Sequence, residues 1–464
     1  MCLGKQGEWP QGLSGRSENK RCFCHYGVFK MKKKVTFAIC GCGSRGLDAY
    51  AQYQKLHPEE MEIVAAADIR PKRLELLREQ FHVPEEMCFS SDEELFRQPR
   101  LADAMIIATQ DQQHVPDAMR ALELGYHLLL EKPVSSDIAA CLRLQEKAHE
   151  MQRAVVVCHV LRYADFYRRL HEILESGQLG QLKTICATEQ IGYWHFAHSY
   201  VRGNWRRSED TSPMILAKSC HDMDMLRWLC GSKCVQVQSF GCLDYFTEKN
   251  APEGATSRCL DGCTCRGECP YDAEEIYVTN PETGVDNGEG GAWLVRVIAD
   301  RPEKNRVMEA IRKGPYGRCV FHCDNDVADH QTVNLLFENQ VTATFTVSAF
   351  SEKNYRTIRL TGTKGEIEGN LEDNKLYLQL FGKEPQVLDL AGYQDEFTGH
   401  GGGDMHLMQY FCELIAEGRT DGLTGIDASV ESHAIAMAAE ESRLNGGRTI
   451  CMADYMAKFM PEKG

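Results

Sequence analysis

The chain has 464 residues, enough for two or three domains at about 150 residues each. Its 67 acidic against 52 basic residues leave a net charge of −15, which argues against a nucleic-acid binder and against attraction to an anionic membrane. No stretch approaches the roughly 18 uninterrupted apolar residues of a membrane span. The 21 cysteines, odd in number and spread through apolar segments, read as reduced thiols of a cytoplasmic protein.

Residues 1–30 lack the apolar run of a secretory signal and read as a disordered extension, with Met31 as the natural start. Cys22, Cys24 and His25 read there as stray residues rather than metal ligands. Val35–Cys40 is a short β-branched and apolar run, the pattern of a strand buried on both faces. It runs into Gly41-Cys42-Gly43-Ser44-Arg45-Gly46, and residues 47–56 then predict a helix ending before Pro58. In this order the first glycine permits the tight turn and the second lets backbone approach a pyrophosphate. The third lets helix and strand pack closely, and the helix N-terminus attracts the anion. A second apolar run, 63–67, ends at Asp68, 22 residues after Gly46. That is close to the roughly 20 expected of the acid that holds the adenosine ribose. Asp68 would repel a 2′-phosphate and favours NAD, while Arg70 and Arg73 keep NADP open.

Alternation continues. Residues 71–81 and 114–124 predict helices, 104–108, 126–130 and 154–158 predict strands, and Ser136 or Asp137 caps a helix between the last two. Such alternation builds a parallel, doubly wound sheet whose ligands sit at the carboxyl ends of the strands. Gly41, Gly43, Ser44, Arg45, Gly46, Asp68, Thr109, His114 and Glu131 are therefore candidate cofactor-binding residues, with Lys132 at the same edge.

The chain from Met31 onward resembles the Gfo/Idh/MocA family of nicotinamide-dependent sugar and cyclitol oxidoreductases. The likeness rests on Gly41–Gly46, Glu131-Lys132-Pro133, Val160-Leu161-Arg162-Tyr163, His221-Asp222-Met223-Asp224 and Gly399-His400-Gly401-Gly402-Gly403-Asp404. It implies that Lys132 contacts cofactor and substrate hydroxyl and that His221 is the acid/base. It further implies a Rossmann domain at 31–158, a substrate and oligomerisation domain at 159–403, and helices at 404–464 that pack back on the Rossmann domain. The second domain is expected to hold a large, open, mostly antiparallel sheet with a common dimer face. Many members carry an Asp where this chain has Ala217, so the usual proton relay is altered. If residues 213–229 are one helix, Lys218 and His221 share a face at i, i+3, and Lys218 either joins the chemistry or is a solvated lysine.

Strands are also expected at 183–190, 235–245, on either side of Glu338-Asn339-Gln340, and at 357–361. The aromatic and basic stretch around Trp205 and Arg206 suits a carbohydrate, because ring faces stack on sugar C–H and guanidinium forks bind hydroxyls. Arg162, Tyr163, Trp205, Arg206 and His400 are the candidate substrate-binding residues. Residues 323–330 hold acids and a histidine but lack the glycine and distant glutamate of a calcium loop, so a polar strand entrance is the reading. An insertion at about 246–292 carries Cys259, Cys263, Cys265 and Cys269, and Cys319 and Cys323 repeat the x3 spacing. The spacing is not that of a structural zinc site. Unligated or redox thiols are favoured over bound zinc or an iron–sulfur centre, and the metal stays unassigned.

The leading reading is an NAD-dependent dehydrogenase of a sugar, glycoside or cyclitol. Redox-assisted glycoside hydrolysis on the same fold and a non-catalytic NAD-binding regulator are the alternatives.

Overall fold

Two sheets organise the structure, a computed structural model that describes residues 33–287, 291–390 and 399–460. The extension 1–30, with Met31, Cys22, Cys24 and His25, lies outside the described residues. Six short apolar strands form the first sheet: β1 (Val35–Cys40), β2 (Met61–Ala67), β3 (Cys88–Phe89), β4 (Ala104–Ile107), β5 (His127–Leu130) and β6 (Val155–Val157). They run β3-β2-β1-β4-β5-β6, and every pairing is parallel. Phe37, Ile39, Ile106 and Leu129 have no exposed surface, as non-alternating strands require when helices cover both faces. The order reverses beside β1 and β4, which opens a crevice at their carboxyl ends.

The helices Pro71–Phe81, His114–Glu123 and Ile138–Met151 agree with the sequence, and Asp137 caps the last through the Ala139 N–H at 2.9 Å. The helix expected over 47–56 does not form as such. Residues 47–49 turn, Tyr50–Gln52 make a 3-10 turn, and only Tyr53–Leu56 is α-helical. Tyr50 and Ala51 donate five residues back, to Arg45 O and Gly46 O. The widened turn lets the Arg45 guanidinium stack over the Tyr50 ring at 4.6 Å, a pairing that ordinary helical spacing does not present.

The second sheet has nine strands: β7 (Leu182–Gly192), β8 (Cys234–Cys242), β9 (His330–Phe337), β10 (Thr342–Ser351), β11 (Tyr355–Gly362), β12 (Gly365–Asn370), β13 (Lys375–Leu380), β14 (Gln386–Asp389) and β15 (Ile450–Cys451). The order is β14-β13-β12-β11-β7-β10-β9-β8-β15, antiparallel except for the β7–β10 pair. Alternation puts Val333, Leu335, Phe345 and Val347 into a core with the helix Cys220–Cys230, and leaves a polar and aromatic face bearing Thr184, Phe240 and Tyr377.

The single helix expected over 213–229 is instead two, Met214–Ala217 and Cys220–Cys230, broken at Lys218-Ser219. The break leaves the Ala217 carbonyl free of the second helix, and the Ser219 carbonyl starts that helix by accepting from Asp222 and Met223. Lys218 and His221 therefore do not share one helical face. The helix Gly403–Ala416 packs on β1, with Phe411 6.0 Å from Phe37. The helix Ile426–Leu444 gives Ile426 and Val430 to the first core and Ala434 to Ala439 to the second. Asp324 and Asp326 bind Arg206, Arg318 and Ser208, and Asp329 accepts two backbone N–H groups. That stretch is a polar turn.

Candidate active site

The glycine loop shows which of its glycines serve the fold. A Cβ on Gly46 would lie 2.1 Å from Gly41 O, and one on Gly41, at φ +94°, would lie 2.5 Å from Ala108 O. A Cβ on Gly43 would meet only the Arg70 side chain at 3.8 Å, so nothing in the protein demands glycine there. The space beside it suits an approaching pyrophosphate. Asp68 lies under the loop and accepts the Cys42 N–H at 2.8 Å and the Arg70 N–H at 2.8 Å. Buried Arg73 braces the loop from below through Cys42 O, Gly43 O and Asp48. Ser44 is exposed at the tip. We expect Gly43→Ala to keep its melting temperature while losing at least roughly tenfold in NADH affinity, whereas Gly46→Ala destabilises the fold. Calorimetric titration beside thermal melts separates the two, and equal melting losses would contradict the assignment.

Three residues expected at the cofactor turn out to hold the site together. The Arg45 guanidinium points inward to Glu131 at 2.8 Å, Asp404 at 2.5 Å and the Tyr50 hydroxyl at 2.6 Å. His114 is buried between Pro133 O at 2.6 Å and Thr109 O at 3.1 Å, tying the ends of β4 and β5 together. Thr109 spends its hydroxyl on Asp117 at 3.0 Å. A sequence shows the position of such side chains at a strand end but not which way they turn.

Lys132 follows β5. Its backbone N–H donates to Glu131 Oε2 at 2.8 Å, and its Nζ donates to Ala217 O at 2.9 Å, the carbonyl released by the helix break. Burial raises the Glu131 pKa, but Arg45 and Lys132 outweigh it and keep the carboxyl ionised below its usual range. His221 is 4 % exposed at the start of the helix Cys220–Cys230. Burial, then the charge of Lys132, push its imidazole well below the ordinary value, so the ring is neutral. His159 and His400 each lie 5.9 Å from that ring. His400, at φ +52°, binds Asp404 at 3.2 Å, which continues the Arg45 network to within reach of His221. His433 donates from Nδ1 to Ser429 O and accepts the Val134 N–H at Nε2 at 2.8 Å, so its neutral tautomer is fixed. His221 Nδ1 and both nitrogens of His159 are buried with no hydrogen-bond partner.

Lys218 turns to Glu189 at 3.3 Å. Arg356 bridges Glu189 and Asp222, reaching Asp222 Oδ1 at 2.9 Å, and Ser219 donates to Glu189 at 3.2 Å. Burial and the Glu189 charge raise Asp222 to about 7 against the pull of Arg356, while Arg356 and Lys218 overcome burial and hold Glu189 low. Sequence reading missed Glu189, Arg356, His159 and His433, and gave Asp222 only as a member of the His221–Asp224 motif, without a role. Glu189, Arg356, His159 and His433 converge on the site from β7, β11, the strand end after β6 and the helix Ile426–Leu444, with no local motif to mark them.

The substrate candidates are corrected in part. Arg162 is buried on Asp224 through two bonds of 2.7 Å and on Leu423 O, so it fastens the helix that bears His221. Tyr163 is buried against Thr424 at 3.0 Å. Arg206 goes to Asp324 at 3.0 Å. Trp205 donates Nε1 to both Asp111 oxygens at 3.2 Å, which docks the aromatic loop beside the end of β4. His400 alone of these borders His221.

The buried histidines set a pH dependence. Burial, with Arg202 and His159 respectively, lowers His198 and His433 to about 3, against about 6.5 when unfolded. Below pH 6.5 the unfolded chain binds protons that these rings refuse, so stability falls with pH, each ring withdrawing about 2 kcal/mol by pH 5. Asp222 and Asp117, raised to about 7 and about 6, hold protons in the fold and offset most of what these two rings withdraw, so the balance is tipped by His195 and His221, which burial holds well below the ordinary value, and by His127, lowered to about 4. The urea midpoint is expected to be lower at pH 5 than at pH 7, and an equal or higher one would contradict it.

Comparisons with known proteins agree with this fold. Residues 35–159 match the model of the oxidoreductase family's NAD-binding Rossmann fold, and residues 171–452 match its C-terminal alpha/beta domain. The Bacillus subtilis (strain 168) protein YteT is 26% identical over 431 residues, covering 87% of this chain and 94% of that one. Inositol 2-dehydrogenase of Corynebacterium glutamicum (strain R) is 25% identical over 210 residues, 45% of this chain and 58% of that one. The crystal structure of an Agrobacterium radiobacter oxidoreductase in complex with NAD+, L-tartaric acid and magnesium aligns with a TM-score of 0.64 at 17% identity. It covers 91% of this chain and 99% of that one, a likeness of fold. Strand order, glycine loop and the two family matches together make this chain a member of the Gfo/Idh/MocA oxidoreductase family, with an NAD-binding Rossmann domain.

Proposed function

We propose that the protein is an NAD-dependent dehydrogenase that oxidises a carbinol of a sugar, glycoside or cyclitol. The observation that carries the reading is the half-buried Lys132 beside the buried, neutral His221 at the carboxyl edge of the first sheet, near the loop with the open Gly43. Bound NAD supplies the hydride acceptor. Lys132 Nζ donates to the carbinol oxygen and stabilises the charge that develops there. The neutral His221 imidazole takes the alcohol proton, a task its uncharged state suits. The Asp68 carboxylate favours NAD over NADP by repelling a 2′-phosphate.

All 18 described cysteines are free thiols, which supports a reducing, cytoplasmic location. The exposed Phe240, Tyr377 and Phe381 support a homo-oligomer. Among the described residues no helix is long and apolar enough to cross a membrane. The test is a screen of free sugars, inositols and nitrophenyl glycosides with NAD, followed at once for NADH absorbance and for nitrophenol. Stoichiometric NADH from a free polyol supports the proposal. Nitrophenol release with no net NADH replaces it with redox-assisted hydrolysis, and activity unchanged in Lys132→Ala removes the catalytic assignment.

A further inference from the structure

NAD and NADP differ by one phosphate on the adenosine 2′ oxygen, and a dinucleotide site discriminates between them at that point. Two arginines follow Asp68 in the chain. Arg73 is buried and engaged with Cys42 O, Gly43 O and Asp48, which leaves Arg70 of that pair to meet a 2′-phosphate. The Arg70 backbone N–H donates to Asp68 Oδ1 at 2.8 Å, and its Nε lies 3.4 Å from the same oxygen. Its Nη2 lies 3.8 Å from the point that a Cβ on Gly43 would occupy. The guanidinium therefore spans the ground between the ribose acid and the pyrophosphate loop.

A third group reaches it from far along the chain. The segment between β8 and β9 folds the helices Trp293–Ile298 and Lys304–Lys313. At the turn between them, Asp300 Oδ1 lies 3.9 Å from Arg70 Nη1. The next residue, Arg301, pairs at 3.8 Å with Glu79 on the helix Pro71–Phe81. Two successive residues thus seat the turn on the helix that follows the ribose acid. The neighbouring cations Lys72, Arg306 and Lys313 pair with Glu75, Glu303 and Glu309. Arg70 stands between two carboxylates, so the ribose corner carries a net negative charge. A 2′-phosphate brings about −1.5 to −2 charges at pH 7. To bind it, Arg70 must leave Asp68 and Asp300, and both carboxylates repel the newcomer. The 2′-hydroxyl of NAD is neutral and leaves those pairs in place.

We propose that Asp300 is a specificity-determining residue of the coenzyme site, holding Arg70 together with Asp68 and excluding NADP. The inference rests on the NAD reading above and adds to it a residue from the segment between β8 and β9.

The whole chain is titrated with NADH and with NADPH at low ionic strength, followed by coenzyme fluorescence. The parent should prefer NADH. Asp300→Asn should bind NADPH at least about tenfold more tightly, since one repelling charge is gone and Arg70 is released, and should change NADH affinity less than about twofold. Asp300→Lys should shift the preference further toward NADPH, and Asp300→Glu should restore the parental one. Glu79→Gln loosens the same turn without altering charge at the ribose corner, and should keep the parental preference. An NADPH affinity unchanged in Asp300→Asn overturns the proposal. So does an equal gain in Glu79→Gln, which would make the effect one of loosening rather than charge. A parent that binds NADH while these results fail overturns this inference alone, whereas a parent that binds neither coenzyme overturns the NAD reading with it.

Discussion

Lys132→Ala is expected to lower kcat by roughly 100- to 10,000-fold, the usual range for loss of a positioned proton-transfer or polarising group. Its Nζ is held at one point by Ala217 O, and Glu131 below it is kept ionised by Arg45. In the fold the ammonium holds only the Ala217 carbonyl and helps Arg45 keep Glu131 ionised, so the melting temperature should fall little and NADH should still bind. His221 sits within the electrostatic reach of that ammonium, which helps keep its ring neutral. Removing the charge therefore raises the His221 pKa, and residual activity should decline at a higher pH on the acid side than in the parent. Pre-steady-state turnover with NAD across pH 5 to 9 reads both effects. A variant with parental kcat, or one whose acid limb does not move, would refute the role given to Lys132.

Arg356→Leu carries the largest expected stability loss. The side chain is buried between Glu189 and Asp222 and binds both. Its removal leaves two buried carboxyls with only Lys218 and Ser219 against Glu189, and breaking a buried pair in this way costs about 3–5 kcal/mol. Asp222 is already raised to about 7 by burial and Glu189, so it becomes neutral first. The loss should thus be smaller at pH 6 than at pH 8, and adding Asp222→Asn should recover part of it. Urea unfolding of the single and double variants decides the matter. A single-variant loss below about 1 kcal/mol would show that the network is not holding β7, β11 and the His221 helix together.

Local signals were legible in the sequence where the physics is local. Pro71 at the first helical position and His82 in the left-handed conformation bound one helix at the residues its pattern suggests. The glycine loop, Asp68 and the strand ends likewise announced the crevice. What could not be read is the choice of partner. Arg45 and Arg162 have the forked head that suits a ligand, yet each is spent on a carboxylate hundreds or dozens of residues away. The break at Lys218-Ser219 has no glycine or proline to mark it, and the partners that bond the groups beside it, Lys132 and Glu189, come from elsewhere in the chain. Arg356, Glu189 and Asp222 become one group only through strand pairing far along the chain.

The helix Ile426–Leu444 lends side chains to both cores, and Thr424 just before it bonds Val157 in β6 at 2.7 Å. Neither half can melt while the other keeps that helix in place. Calorimetry should therefore record one heat-absorption peak, and a clone of the nucleotide half ending near residue 159 should come out of cells insoluble for want of its lid.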